Sequence, residues 1–168
     1  MSIKRALASM VCGLIAWLAQ PNSAAAATPN LTGSWQFTLT PTAPPTPPVV
    51  QIPGLATFTT DGSVVETDGA ELVPMASSTT PTKVASPGHG IWQIANTPAL
   101  LYVQYISLVV EADGSLYARN VTTMTLSMNT AGNQFTGSYT TDQVIGGVTK
   151  NLSAGTVSGQ LIPHNPLP

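Results

Sequence analysis

A histidine framed by two glycines is the most chemically suggestive stretch of this chain. Residues 86–92 read Ser-Pro-Gly-His-Gly-Ile-Trp, and His89 is one of two histidines among 168 residues. An imidazole titrates near neutral pH and serves as a general acid or base. Flanking glycines free the backbone for unusual angles and allow close approach of a substrate. Proton transfer also needs a partner, and the candidates are Glu66 and Asp68, at the end of the second hairpin strand. The competing reading is plainer: Pro87-Gly88-His89-Gly90 is a turn whose histidine faces solvent or bonds to the loop.

Other chemistries have less support. The single cysteine, Cys12, lies in an N-terminal apolar run and His164 sits in a terminal His-Asn-Pro-Leu-Pro, so no metal site is expected. Asp61-Gly62-Ser63 and Asp113-Gly114-Ser115 lack the further spaced carboxylates of a calcium loop and read as turns. No Gly-x-Ser-x-Gly elbow presents a serine nucleophile, and no glycine loop leads into a helix to cradle a phosphate. No cofactor is implied.

Aromatic and sulfur side chains suit binding better than reaction. Trp35, Phe37, Phe58, Trp92, Tyr102, Met124, Met128, Phe135 and Tyr139 are candidates to line an interior site for a small apolar molecule, since methionine adapts to irregular shapes. The same residues equally make an ordinary core. An eight-stranded barrel is either filled by its own side chains or holds one small ligand.

The elements that must position these residues begin after a leader. Lys4 and Arg5 precede an apolar run at 6–19 and a tail of small residues, the pattern of a secretory signal peptide cleaved after Ala27. The run is shorter than the roughly 20 apolar residues that span a bilayer. The mature chain is therefore expected to be secreted or periplasmic, with no integral membrane segment. It keeps 141 of the 168 residues and no cysteine, so its stability must come from a hydrophobic core. Lys83, Arg119 and Lys150 oppose seven carboxylates, a net charge of −4, and three scattered cations make no basic stripe for nucleic acid.

Threonine-rich, charge-poor composition favours strands. In Leu-Thr-Gly-Ser-Trp-Gln-Phe-Thr-Leu-Thr (31–40), apolar and hydroxylated residues alternate, which predicts a strand with one dry face. Six prolines between positions 40 and 54 predict a stiff loop after it. Asp61-Gly62 and Asp113-Gly114 predict tight hairpin turns, as do Asn129-Thr-Ala-Gly-Asn133 and Gly146-Gly147. Short strands near 71–75 and 91–95 bring the total to about eight. Hairpin order and edge protection then predict an all-β, single antiparallel up-and-down barrel over 28–162, with a tail at 163–168. Glycines on the dry phase at 33, 137 and 159 suit a sharply bent wall.

Thr-Gly-Ser-Trp at 32–35, Ala-Thr-Phe-Thr-Thr-Asp-Gly-Ser at 56–63, the segment 86–92, Glu-Ala-Asp-Gly-Ser at 111–115, Phe-Thr-Gly-Ser-Tyr at 135–139 and Gly-Thr-Val-Ser-Gly-Gln-Leu at 155–161 follow one another in a familiar order. Together they resemble a family of small secreted bacterial proteins with a lipocalin-like, or calycin-like, β-barrel, mostly of unassigned function. The resemblance implies a cavity for a small apolar molecule and no particular chemistry. It also implies that Gly33-Ser34-Trp35 closes one end of the barrel. The arginine that commonly packs across that tryptophan is replaced by Gln160, so the chain departs from the pattern there.

Three readings follow. The first is a monomeric or weakly dimeric barrel that binds a small, mainly apolar ligand, with the loops 41–53 and 67–90 framing its mouth. The second is a barrel cyclase or isomerase using His89 and Glu66 for proton transfer. The third is a filled barrel serving as an envelope interaction domain. An outer-membrane barrel is a more remote fourth, because the aromatics are too few for two interfacial girdles.

Overall fold

The computed structural model describes residues 28–43, 51–69, 83–95 and 100–163. The proposed leader, the predicted strand near 71–75 and the end of the tail lie outside them. Alternation of apolar and polar residues shapes the described chain into nine strands: β1 Gly33–Ala43, β2 Ile52–Phe58, β3 Ser63–Asp68, β4 Val84–Ala85, β5 Gly88–Ile94, β6 Leu100–Val110, β7 Leu116–Met128, β8 Gln134–Ile145 and β9 Val148–Leu161. All pairings are antiparallel. Neighbours run β5-β3-β2-β1-β9-β8-β7, and β6 pairs with both β5 and β7, closing the ring. The two-residue β4 pairs with β6 beyond the start of β5, so among the described residues the wall has eight positions and closes on itself.

Turn chemistry fixes the hairpins. Asp61 accepts from the Ser63 amide at 3.1 Å and Asp113 from the Ser115 amide at 2.9 Å, while Gly62 and Gly114 adopt φ of +88° and +83°. Asn129 caps its turn by accepting from the amides of Asn133 and Gln134, both at 3.1 Å. Gly146 and Gly147 both have positive φ, as a two-residue hairpin matched to strand twist requires.

One end of the barrel is solid. Trp35 and Leu31 are fully buried, the indole Nε1 donates to the Leu31 carbonyl at 2.7 Å, and the Trp35 and Phe135 rings are 5.1 Å apart. Phe37, Phe58, Val64, Leu101, Val103, Met124, Leu126 and Val157 complete this packed half. Two rings occupy space left by glycines: a Cβ on Gly54 would lie 2.3 Å from Phe37, and one on Gly159 would lie 2.2 Å from Phe135. The aromatic ring over a cross-strand glycine is a device that pins register in curved sheets. Gln160 faces outward, in register with Gln36 and Gln134, and Leu161 is the residue opposite Trp35.

Several boundaries differ from the sequence reading. The first strand starts at Gly33, whose φ of +131° turns Leu31 under the barrel as a plug. It continues through Pro41, opposite Gly155, and Pro53 lies within β2, opposite Thr38. Both prolines are near strand ends, where a missing amide costs little. The fifth strand starts at Gly88 and not at 91, so His89 belongs to a strand and not to a turn.

Candidate ligand-binding site

The other half of the barrel is hollow. The interior phase that carries large apolar residues near Trp35 changes character along each strand: Val64 gives way to Glu66 and Asp68, Val103 to Tyr105 and Ser107, Met124 to Thr122 and Asn120. Along β8, Tyr139 is followed by Thr141, which pairs with Ser153 on β9. These side chains, with Leu39, Ile52, Ala85 and Leu152, enclose a cavity of about 230 Å3. It lies beside the strand ends that lead into 44–50 and 70–82. Register shifts in β1 at Pro41/Ala43, in the β6–β7 pair at Val109/Val110 and in the β8–β9 pair at Thr141/Asp142 all fall in this half. Bulges recur at barrel rims and beside sites, where they bend the wall and re-aim side chains.

Glu66 is the most unusual member. Only 3% of its surface is exposed, although carboxylates are almost never so buried unless partnered. Space for it comes from Gly88, its register partner on β5: a Cβ there would stand 2.5 Å from Glu66 Oε1 and 2.6 Å from the Tyr105 ring. The hydroxyls nearby are linked in pairs. Tyr139 and Ser153 are 2.9 Å apart, and Thr122 and Thr141 are 2.9 Å apart. Burial pushes the Tyr139 phenol above its ordinary 10.0, against the lowering effect of the Ser153 hydrogen bond and with help from the negative charge of Asp68. It is therefore a neutral phenol throughout the physiological range.

The residues singled out from sequence divide. Tyr139 and Glu66 line the cavity, as does Asp68. Trp35, Phe37, Phe58, Met124 and Phe135 are buried in the packed half, with Met128 and Trp92 packed against it. Trp92 braces the first hairpin, its amide donating to Gly62 at 2.7 Å and its indole to Thr59 at 2.9 Å. Tyr102 points to the outer face between Gln93 and Thr125. His89 is exposed on the outer wall, paired with Val65 and Ile106, whereas Glu66 faces inward. The structure does not bring His89 and Glu66 together.

Tyr105, Ser107, Asn120, Thr122, Thr141 and Ser153 were not anticipated as site residues. Their signal was available by continuing the two-residue period past the last large apolar side chain, from Met124 to Thr122 and Asn120 and from Tyr139 to Thr141. A shallower depression of about 410 Å3 on the outer wall runs past Gln36, Gln134 and Gln160. It is open, and it lacks the convergence of buried groups found inside. Among the described residues no three His, Cys, Asp or Glu side chains cluster to hold a metal ion, and no helix is long and apolar enough to cross a membrane.

Closure, eight wall positions and hairpin order define an antiparallel up-and-down barrel compatible with a calycin-like fold. Comparison with family models, curated proteins and solved structures found no match to this chain.

Proposed function

We propose that this is a secreted or periplasmic binding protein of lipocalin-like type that holds a small molecule in the hollow half of its barrel. The observation that carries this reading is the division of the interior. A barrel needing only stability would be filled along its length, yet midway the close-packed core gives way to a lining mixed with hydroxyls, an amide and carboxylates, and a cavity with a buried carboxylate begins. Leu39, Ile52, Leu152 and the tyrosine rings supply an apolar surface, and the hydroxyls and carboxylates supply a few polar anchors. A ligand with a mainly apolar body of roughly ten non-hydrogen atoms fits at the packing density of protein interiors. The motif order quoted above and the position of Trp35 at the closed end support the lipocalin-like assignment. The leader at 1–27 supports export.

Titration with 1-aminonaphthalene, whose emission rises in apolar surroundings, tests the reading when run beside Thr141→Phe. Thr141 lines the cavity and is half-buried, so the new ring enters the hollow. Saturable enhancement in the native protein, lost in a folded Thr141→Phe, is the expected result. Equal enhancement in both proteins places the probe elsewhere and removes the cavity from the account.

A further inference from the structure

The chemical class of the ligand can be narrowed from the charges around the cavity, granted the reading that the cavity is a binding site. Two carboxylates, Glu66 and Asp68, share the inward face of β3, and both line the hollow. No cation lines it. Lys83 is held elsewhere, 3.6 Å from Glu111 and 3.1 Å above the Tyr117 ring, while Arg119 and Lys150 are exposed. The segments 44–50, 70–82 and 96–99 contain no lysine or arginine in sequence. The described lining of the hollow is therefore acidic in composition. A second anion entering it would meet like charge at low dielectric, where repulsion is far stronger than in water.

Position strengthens the point. Gly88 leaves the room in which the Glu66 carboxylate sits, so this wall is shaped around an acid. Tyr105 on β6 and Tyr139 on β8 add aromatic rings and phenol oxygens to the lining, and both groups are compatible with a positive head group. Leu39, Ile52 and Leu152 also line the hollow, suited to a short hydrocarbon body.

We infer that the cavity selects small amphiphiles with a cationic head, an ammonium or a related protonated nitrogen, seated against Glu66 and Asp68, and rejects carboxylate-headed amphiphiles such as fatty acids. The recognition is a charge-assisted hydrogen bond at the head and apolar burial along the tail.

Isothermal titration of the native chain at pH 7 with octylammonium, 1-octanol and octanoate varies the head and holds the tail constant. The amine is protonated at that pH, as a lysine side chain is. Octylammonium is expected to bind at least tenfold more tightly than octanol, with octanoate weaker than both. Glu66→Gln is nearly isosteric and should shrink the ratio of amine to alcohol affinity while octanol binding persists. Asp68→Asn, at the less buried position, gives a second reading should Glu66→Gln fold poorly. Octanoate binding as well as octylammonium, or a ratio unchanged in both variants, overturns the charge inference and leaves the cavity as a binding site. Failure of all three compounds to bind overturns the cavity reading itself.

Discussion

The carboxylate of Glu66 occupies the space that a side chain at position 88 would fill. A Cβ built on Gly88 would stand 2.5 Å from Glu66 Oε1, so the glycine and the buried acid are two halves of one arrangement. The segment that first suggested catalysis through His89 thus contributes to the interior through the glycine beside it.

Gly88→Ala forces Glu66 or Tyr105 to move, and overpacking of this kind costs about 1–3 kcal/mol. Urea denaturation should show that loss. Combining it with Glu66→Ala should cost less than the sum of the two single changes, because the second removes the atoms that the first collides with. Strict additivity would mean the two residues do not share the space.

Trp35→Phe keeps most of the apolar bulk at the closed end but removes the indole bond to the Leu31 carbonyl. Leaving that buried carbonyl without its donor costs about 1–3 kcal/mol. The proton of Leu31 should also exchange faster, since the plug loses its anchor. An unchanged midpoint in urea would show that Leu31 is not held through Trp35.

Stability should depend on pH at both extremes. Hydrogen bonds from Thr59 and Ser63 hold Asp61 below its ordinary 3.8, and those from Ser115 do the same for Asp113. A folded pKa below the unfolded one gives stability that is present above about pH 4 and lost as pH falls through the folded values. Tyr139 is shifted the other way, so its contribution is full below its ordinary 10.0 and declines as pH rises through its higher folded value. Urea midpoints measured across pH should show both limbs. Asp61→Asn with Asp113→Asn should flatten the acid limb, and Tyr139→Phe the alkaline one.

His89 faces solvent, so His89→Ala should change stability by no more than about 0.5 kcal/mol and leave ligand affinity unchanged. Loss of binding in that variant would require the outer wall at β3, β5 and β6 to take part.

Much of the barrel was legible because its turns and its first strand speak locally. The repeated Asp-Gly-Ser turns, the dry face of Trp35, Phe37 and Leu39, and the Met124-Leu126-Met128 stripe each give phase without reference to distant residues. Residues 99–111 are apolar on both phases, so alternation could not tell that Tyr105 points inward and Tyr102 outward. The same ambiguity hid the direction that Glu66 faces: in Ser63-Val64-Val65-Glu66, either valine could have been the buried one. Pairing decided it, since Val64 faces Gly90 and Glu66 faces Gly88 inside the ring. Gly88 and Gly90 also disguised a strand as a turn, because their fit beside Glu66 and Tyr105 is a property of the closed barrel and not of the segment.

Native mass spectrometry of the protein purified from its own host, before and after denaturation, tests the central claim most directly. A defined small mass carried by the folded protein, released on denaturation and absent from Thr141→Phe, is the predicted result. A ligand mass retained in full by a folded Thr141→Phe would contradict the assignment of the site to the hollow half of the barrel.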